Sequence, residues 1–297
     1  MRWQDIFNSG IELGRECDIR NNSGSGNFTE GYSDCTIING DPGMDVKKVY
    51  AAVDIGVGEL LLVRELNKKG AGIDGVISHH PMGSGAYRLT DVIDIQRYNW
   101  ERYGVDHKTA GRIMDRMIEE ENIDIRARNS LAVESASKLL EIPVMCVHTA
   151  LDNVIQDFFE KIFESGSFMT LKDAFKEIES LPECIKASAN GDGPFIPEKK
   201  MLKNPPGEIM VDMTGGVDPD SDIFKYLKKA GIGTLIAMHY GLDNIKAIKK
   251  NKINAIICGH MASDSIGLNI YSDILEKNGL AVVAGSGLYR HRRYHGG

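Results

Sequence analysis

Histidine and aspartate recur in this chain where simple chemistry would let them converge. His79 and His80 are adjacent in Ser78–Pro81 (SHHP), at the exit of the short apolar run Gly75–Ser78, and Pro81 holds His80 extended. Imidazole ligates zinc, iron, manganese or nickel. His148 and Asp152 are four apart in VHTALD, after the apolar run 142–147, and His260 and Asp264 are four apart in GHMASD, after the run 253–258. A helix starting at either place puts each pair on one face. An aspartate in a first turn can equally be a cap, worth about 1 kcal/mol, but capping leaves the histidines unexplained. Three strand exits that each present histidine amount to a ligand set of His79, His80, His148, Asp152, His260 and Asp264. Such a set can hold one or two divalent ions, about 3.5 to 4 Å apart when there are two, with Asp152 as the expected bridge and water activated between them. His239, in MHYGLD, follows another apolar run and is the candidate acid–base group; its bland alternative is a strand-end histidine bonded to backbone. Asp54 could cap the helix after it, and Asp106-His107 reads as solvated.

These residues need elements that deliver them to one place. Residues 49–55 (VYAAVDI) form a β-branched run, 59–69 an amphipathic stretch stopped by Gly70, and 75–78 a second run, which together read as a βαβ unit. Right-handed crossovers join parallel strands, so Asp54, His79 and His80 share one sheet edge. The chain from Glu208 to Leu288 alternates in the same way, with apolar runs at 209–213, 233–238, 253–258 and 280–285. The expected class is α/β. Residues 1–155 make a first α/β block with a charged helical insertion at about 91–140, 156–205 a helical and linker segment, and 206–297 a second α/β block whose end packs back near the first. The Pro/Gly stretch NPPG is the candidate linker. The loop NNSGSGNFTEG near residue 25 could order over a ligand, the closing HRRYHGG reads as a solvated tail, and Thr214–Gly216 (TGG) could meet phosphate through backbone amides without the spacing of a P-loop.

With 297 residues and 42% hydrophobic content, the chain can bury a core without staples. The formal charge of −7 disfavours non-specific capture of nucleic acid or anionic membrane. Five cysteines (Cys17, Cys35, Cys146, Cys184, Cys258) without a C-x-x-C spacing read as reduced thiols. No signal or transmembrane segment is visible, so the expected compartment is the cytoplasm. No G-x-S-x-G elbow supports a serine nucleophile.

The segments AAVDIG, VISHHP, VHTALD and GHMASD resemble the NIF-three-like family (NGG-one-interacting factor three), also known as type-two GTP cyclohydrolase I, over most of the chain. The resemblance implies two linked α/β domains with a dimetal site in the cleft between them, metal-ligand positions at His79, His80, Asp152, His260 and Asp264 with His148 close by, and assembly into homohexamers. Asp264 stands where the family usually carries glutamate, and Ser33–Gly40 (SDCTIING) only loosely echoes the family's D-N-x-G-L segment. The expected function is a metal-dependent hydrolase of the cyclohydrolase or amidohydrolase kind, acting on a small molecule such as a nucleotide or heterocycle. The alternative is a non-catalytic, metal-binding or regulatory ring scaffold for a protein partner.

Overall fold

The structure, a computed structural model, describes residues 1–22 and 28–293. Eight strands follow in chain order: β1 (Thr36–Asn39), β2 (Lys48–Ala52), β3 (Gly75–Ser78), β4 (Val144–Cys146), β5 (Glu208–Asp212), β6 (Ile232–Ala237), β7 (Asn254–Ile257) and β8 (Ala281–Gly285). They form two sheets, one of order β1-β4-β3-β2-β8 and one of order β5-β6-β7. Every pairing is parallel except β1 with β4. Val, Ile and Ala fill β2, β3, β4 and β7 because both faces of these strands are covered.

The C-terminal run 280–285 is the one element whose partner the alternation of the second block does not reveal. It pairs with β2 in the first sheet, in register from Lys48↔Ala281 to Ala52↔Gly285. Helix His260–Lys277 therefore leaves one sheet and delivers its chain to the other. It packs on helix Thr149–Ser165 at Gly267, where a Cβ would lie 2.8 Å from Ile155 Cγ1 and 2.9 Å from the Leu151 carbonyl, so only glycine allows the approach. Gln156 ties helix Thr149–Ser165 to the second sheet, donating to the Val211 carbonyl at 3.0 Å and accepting from the Met213 amide at 2.8 Å. One apolar cluster runs through both sheets, from Val49 and Ile77 past Leu151 and Leu268 to Met210 and Leu235. Each fully buried side chain of this kind contributes about 1.5–3 kcal/mol.

The charged insertion folds as helices Ile95–Arg102, His107–Arg126 and Leu131–Leu140. Its first helix is built into the second sheet: Asn99 donates to the Val211 carbonyl at 2.9 Å and Gln96 to the Val217 carbonyl at 2.7 Å. NPPG lies against the second sheet, where the Pro206 carbonyl accepts from the Thr234 hydroxyl at 2.5 Å. The start of the carboxyl-terminal segment, expected as a solvated tail, is tied down by ion pairs although Arg292 stays exposed. Arg293 holds buried Glu183 at 2.7 and 3.0 Å, and Arg292 holds Glu276 at 2.9 and 3.0 Å. Residues 23–27 of the expected ligand-covering loop and residues 294–297 lie outside the described residues. All five cysteines are free thiols. Among the described residues no helix is long and apolar enough to cross a membrane.

Candidate metal centre

Parallel strands release their side chains at the carboxyl edge, and both sheets release theirs toward the same point. From the first sheet come His79 and His80 directly after β3, and His148 two residues after β4. From the second comes His260, which opens the helix after β7. Asp152 and Asp264 each lie one helical turn beyond a histidine, so the four-residue spacing acts as expected: His148 Nε2 is 3.6 Å from Asp152 Oδ2, and His260 Nε2 is 3.2 Å from Asp264 Oδ2.

The six side chains meet in overlapping groups, His79–His80–His148, His80–His260–Asp264 and His79–Asp152–Asp264, each with ligand atoms within 4.8 Å of one another. Asp264 is the most shared of them. Its Oδ1 is 3.5 Å from His79 Nε2, and its Oδ2 is 3.2 Å from both His80 Nε2 and His260 Nε2. Asp152 Oδ1 is 3.3 Å from His79 Nε2. The Nε2 atoms of His80 and His260 face each other at 3.2 Å.

Three histidines point the same way for an identifiable reason. His79 Nδ1 lies 3.2 Å from the Val147 carbonyl, His80 Nδ1 2.7 Å from Asp54 Oδ1, and His148 Nδ1 2.7 Å from Asp34 Oδ2. Each Nδ1–H is donated outward, which leaves each Nε2 lone pair facing the cluster, as in metal-ligating histidines. At the centre, His79 Nε2 and both oxygens of Asp264 are buried without a hydrogen-bond partner. An uncompensated cluster of this sort is costly unless a cation or protons occupy it. The donor set of imidazole and carboxylate suits the first-row divalent ions, so the residues present fit a metal.

The electrostatics report the same demand for positive charge. Burial pulls His79 down, but Asp264 and Asp152 outweigh it and hold its pKa well above the ordinary value. Burial likewise opposes the charge on His80, yet Asp264 and Asp54 raise it to about 9. Burial opposes the Asp264 carboxylate too, but His79, His80 and His260 hold its pKa far below the usual range. For His260 burial prevails and the pKa falls.

A cavity of about 290 Å³ opens onto His80, His148, Asp152, His260 and Asp264. His239 lines it too, with its ring 4.6 Å from that of His260 and its Nδ1 3.0 Å from Asp218 Oδ1. The bond to Asp218 outweighs burial and raises the pKa of His239. The TGG loop forms part of the wall: Gly216 has φ +70°, and a Cβ there would stand 2.6 Å from His148 Cε1.

Four functional neighbours are absent from the sequence reading. Asp34 is wholly buried and accepts from His148, from the Thr149 amide at 3.2 Å and from the Thr149 hydroxyl at 2.7 Å. Its only signal is its place in the Ser33–Gly40 segment. Asp212, Asp218 and Tyr240 line the cavity from the ends of β5 and β6 and the loop after β5. They left no mark beyond being polar residues after apolar runs. Asp54 does not cap the next helix: Gly56 is the N-cap, bonded by Glu59 at 2.7 Å, and Asp54 serves His80. His107 is exposed and bonded to Glu101 at 2.9 Å, outside the site.

The chain is a mixed α/β protein with a His/Asp cluster, able to hold a metal ion, where both sheets converge. No family model matches the chain, and no curated protein matches it. Among solved structures, a NIF3 superfamily protein from Sphaerobacter thermophilus aligns with TM-score 0.80 and 25% identity over 96% of this chain and 98% of its own. Reduced HcgD from Methanocaldococcus jannaschii shares the fold with TM-score 0.58 and 13% identity over 96% and 97%. With the SHHP, HTALD and GHMASD elements in place, the likeness to the Sphaerobacter protein supports a NIF3-like family assignment.

Proposed function

We propose that the chain is a divalent-metal-dependent hydrolase of the cyclohydrolase or amidohydrolase kind, acting on a small molecule such as a nucleotide or heterocycle in a cleft between two α/β halves. The observation that carries the reading is the outward Nδ1 donation of His79, His80 and His148 around carboxylate oxygens of Asp264 that have no donor. The six residues would hold one or two ions, and Asp264, whose two oxygens approach different histidines, would take the shared position expected of Asp152. When bound, such ions polarise a carbon–oxygen or carbon–nitrogen double bond and bring the pKa of water toward neutrality.

The chain's own residues do the rest. Asp218 fixes the His239 ring through Nδ1 and favours its charged form, so Nε2 can deliver a proton to a leaving nitrogen or oxygen in the cavity. Leu89, Ile125, Val217 and Met238 form apolar wall and strengthen every polar contact made there. A homohexamer belongs to the same reading, supported by the exposed Leu61, Leu62 and Leu139, and sedimentation would read it.

The first test is metal content by mass spectrometry on protein purified without chelator or nickel, comparing wild type with His80→Ala/His260→Ala. About one or two ions per chain, lost in the variant, support the site and justify screening nucleotides and heterocycles for metal-dependent hydrolysis. Equal, negligible metal in both proteins would overturn it. Tightly held metal with no turnover on any of them would favour the scaffold reading instead.

A further inference from the structure

The cavity is walled by carboxylates and histidines, and among the described residues that line it Arg128 is the sole lysine or arginine. Arg128 comes from the helical insertion, two residues past helix His107–Arg126. Its backbone is fixed: the amide donates to the Ile125 carbonyl at 3.2 Å, and its carbonyl accepts from the Tyr87 hydroxyl at 3.0 Å. Its side chain is held far less. The side chain is 63% exposed, its ion pair with Asp124 is 3.9 Å long, beyond hydrogen-bond reach, and Glu121 interacts with it through charge alone. The ordinary task of a cation at a helix end, bonding a last-turn carbonyl, is already taken by Arg126, which donates to the Asn122 carbonyl at 2.7 Å. Other arginines of this chain are committed: Arg97, Arg102 and Arg293 each hold a carboxylate at 2.7 Å.

The remaining charges of the wall give the cavity a direction. Asp212 accepts from the Tyr240 hydroxyl at 2.5 Å, and Asp218 accepts from His239 at 3.0 Å and from the Gly241 amide at 2.6 Å. Both carboxylates come from the second sheet's end, and they repel an anion there. Apart from the His/Asp cluster and the His239 ring, which Asp218 holds, the attractive place left to a ligand anion is Arg128. A guanidinium presents a fork of N–H donors matched to carboxylate and phosphate, and such charge-assisted bonds are about twice as strong as neutral ones.

We infer that Arg128 recognises the substrate: the molecule turned over here carries a carboxylate or phosphate group that pairs with the Arg128 guanidinium while its reacting group lies at the His/Asp cluster. The inference rests on the metal-dependent reading of the site. It assigns the insertion a role in selecting anionic small molecules.

The test uses the full chain loaded with zinc and three probes that share a metal-binding hydroxamate: acetohydroxamate, succinic acid monohydroxamate and phosphonoacetohydroxamate. In wild type at least one anionic tail is expected to tighten binding by about tenfold or more over acetohydroxamate, and the better tail separates a carboxylate from a phosphate source. That ratio is expected to collapse toward one in Arg128→Met and Arg128→Gln, and to persist in part in Arg128→Lys. A wild-type ratio near one, or a ratio that survives in Arg128→Met and Arg128→Gln with native circular dichroism, overturns the inference alone. Acetohydroxamate binding that does not depend on zinc overturns the metal reading and the inference together.

Discussion

Asp34 Oδ2 lies 2.7 Å from His148 Nδ1, and this carboxylate, wholly buried, sets which imidazole nitrogen faces the cluster. Burial opposes its charge, but the bonds from His148 and Thr149 outweigh burial and hold the pKa of Asp34 below the usual range. Replacing Asp34 by Asn keeps the shape and allows the opposite tautomer of His148. Metal affinity is expected to fall by about ten- to a hundredfold in Asp34→Asn. Competition with a fluorescent chelator reads it, and an unchanged affinity would show that His148 is not a ligand.

The metal-free protein should respond to pH in a direction that metal removes. His80 is held at about 9 in the fold, against 6.5 unperturbed, and His79 is shifted the same way. A group raised on folding stabilises fully below its unfolded pKa, and that stability is lost as pH rises through the folded value. In chelator, the melting temperature is therefore expected to fall between pH 6.5 and about 9, with His80 contributing at most ~3 kcal/mol. Asp264 adds nothing to this window, because its lowered pKa matters only in acid. Saturating zinc replaces the protons, and the decline is expected to vanish. Thermal melts across the window with and without zinc decide it; a chelated protein that gains stability toward pH 9 would contradict the charge assignment.

The convergence of the His/Asp cluster was legible in the sequence because its signals are local. His79, His80, His148 and His260 each follow an apolar run, and the two four-residue His–Asp spacings survive into the fold as neighbouring side chains. The sequence places the end of the second block back near the first, but the pairing of β8 with β2 was not legible, since 228 residues separate strands whose apolar character is the same as that of β5 to β7. Asp34, Asp212 and Asp218 were missed for a related reason. Each acquires its role from a partner far along the chain or across a loop, as Asp34 does from His148, and a lone aspartate after an apolar run looks like any turn residue. The docking of the charged helical insertion was not legible because its polar faces dominate. Gln96 and Asn99, the residues that anchor it to the second sheet, are buried amides that periodicity treats as surface.

Gly216 links loop conformation to the ligand shell. Its φ of +70° is left-handed, and a methyl group there would meet His148 Cε1 at 2.6 Å. Gly216→Ala is expected to lose about 1–3 kcal/mol from the backbone alone, and the contact should displace His148 and weaken metal binding as well. Urea unfolding of metal-free protein isolates the backbone cost, and zinc titration the displacement. A stability loss with unaltered zinc affinity would place the loop's influence elsewhere than His148.

Asp212 offers a pH response of the opposite origin. Burial pushes its carboxyl up to about 6, against the pull of the Tyr240 hydroxyl bonded to it. A carboxyl raised on folding leaves stability unaffected below its unfolded value of 3.8, erodes it as pH climbs toward 6, and imposes a constant penalty above that. Asparagine has no charge to bury and still accepts from Tyr240 through its amide oxygen. Asp212→Asn is therefore expected to be more stable than wild type by about 1–2 kcal/mol at pH 7.5, with the gain shrinking toward pH 4.5. Urea denaturation at the two pH values measures it. Should the variant be weaker than wild type at pH 7.5, the ionised carboxylate must make a bond with the Tyr240 hydroxyl that asparagine cannot replace and that outweighs its burial.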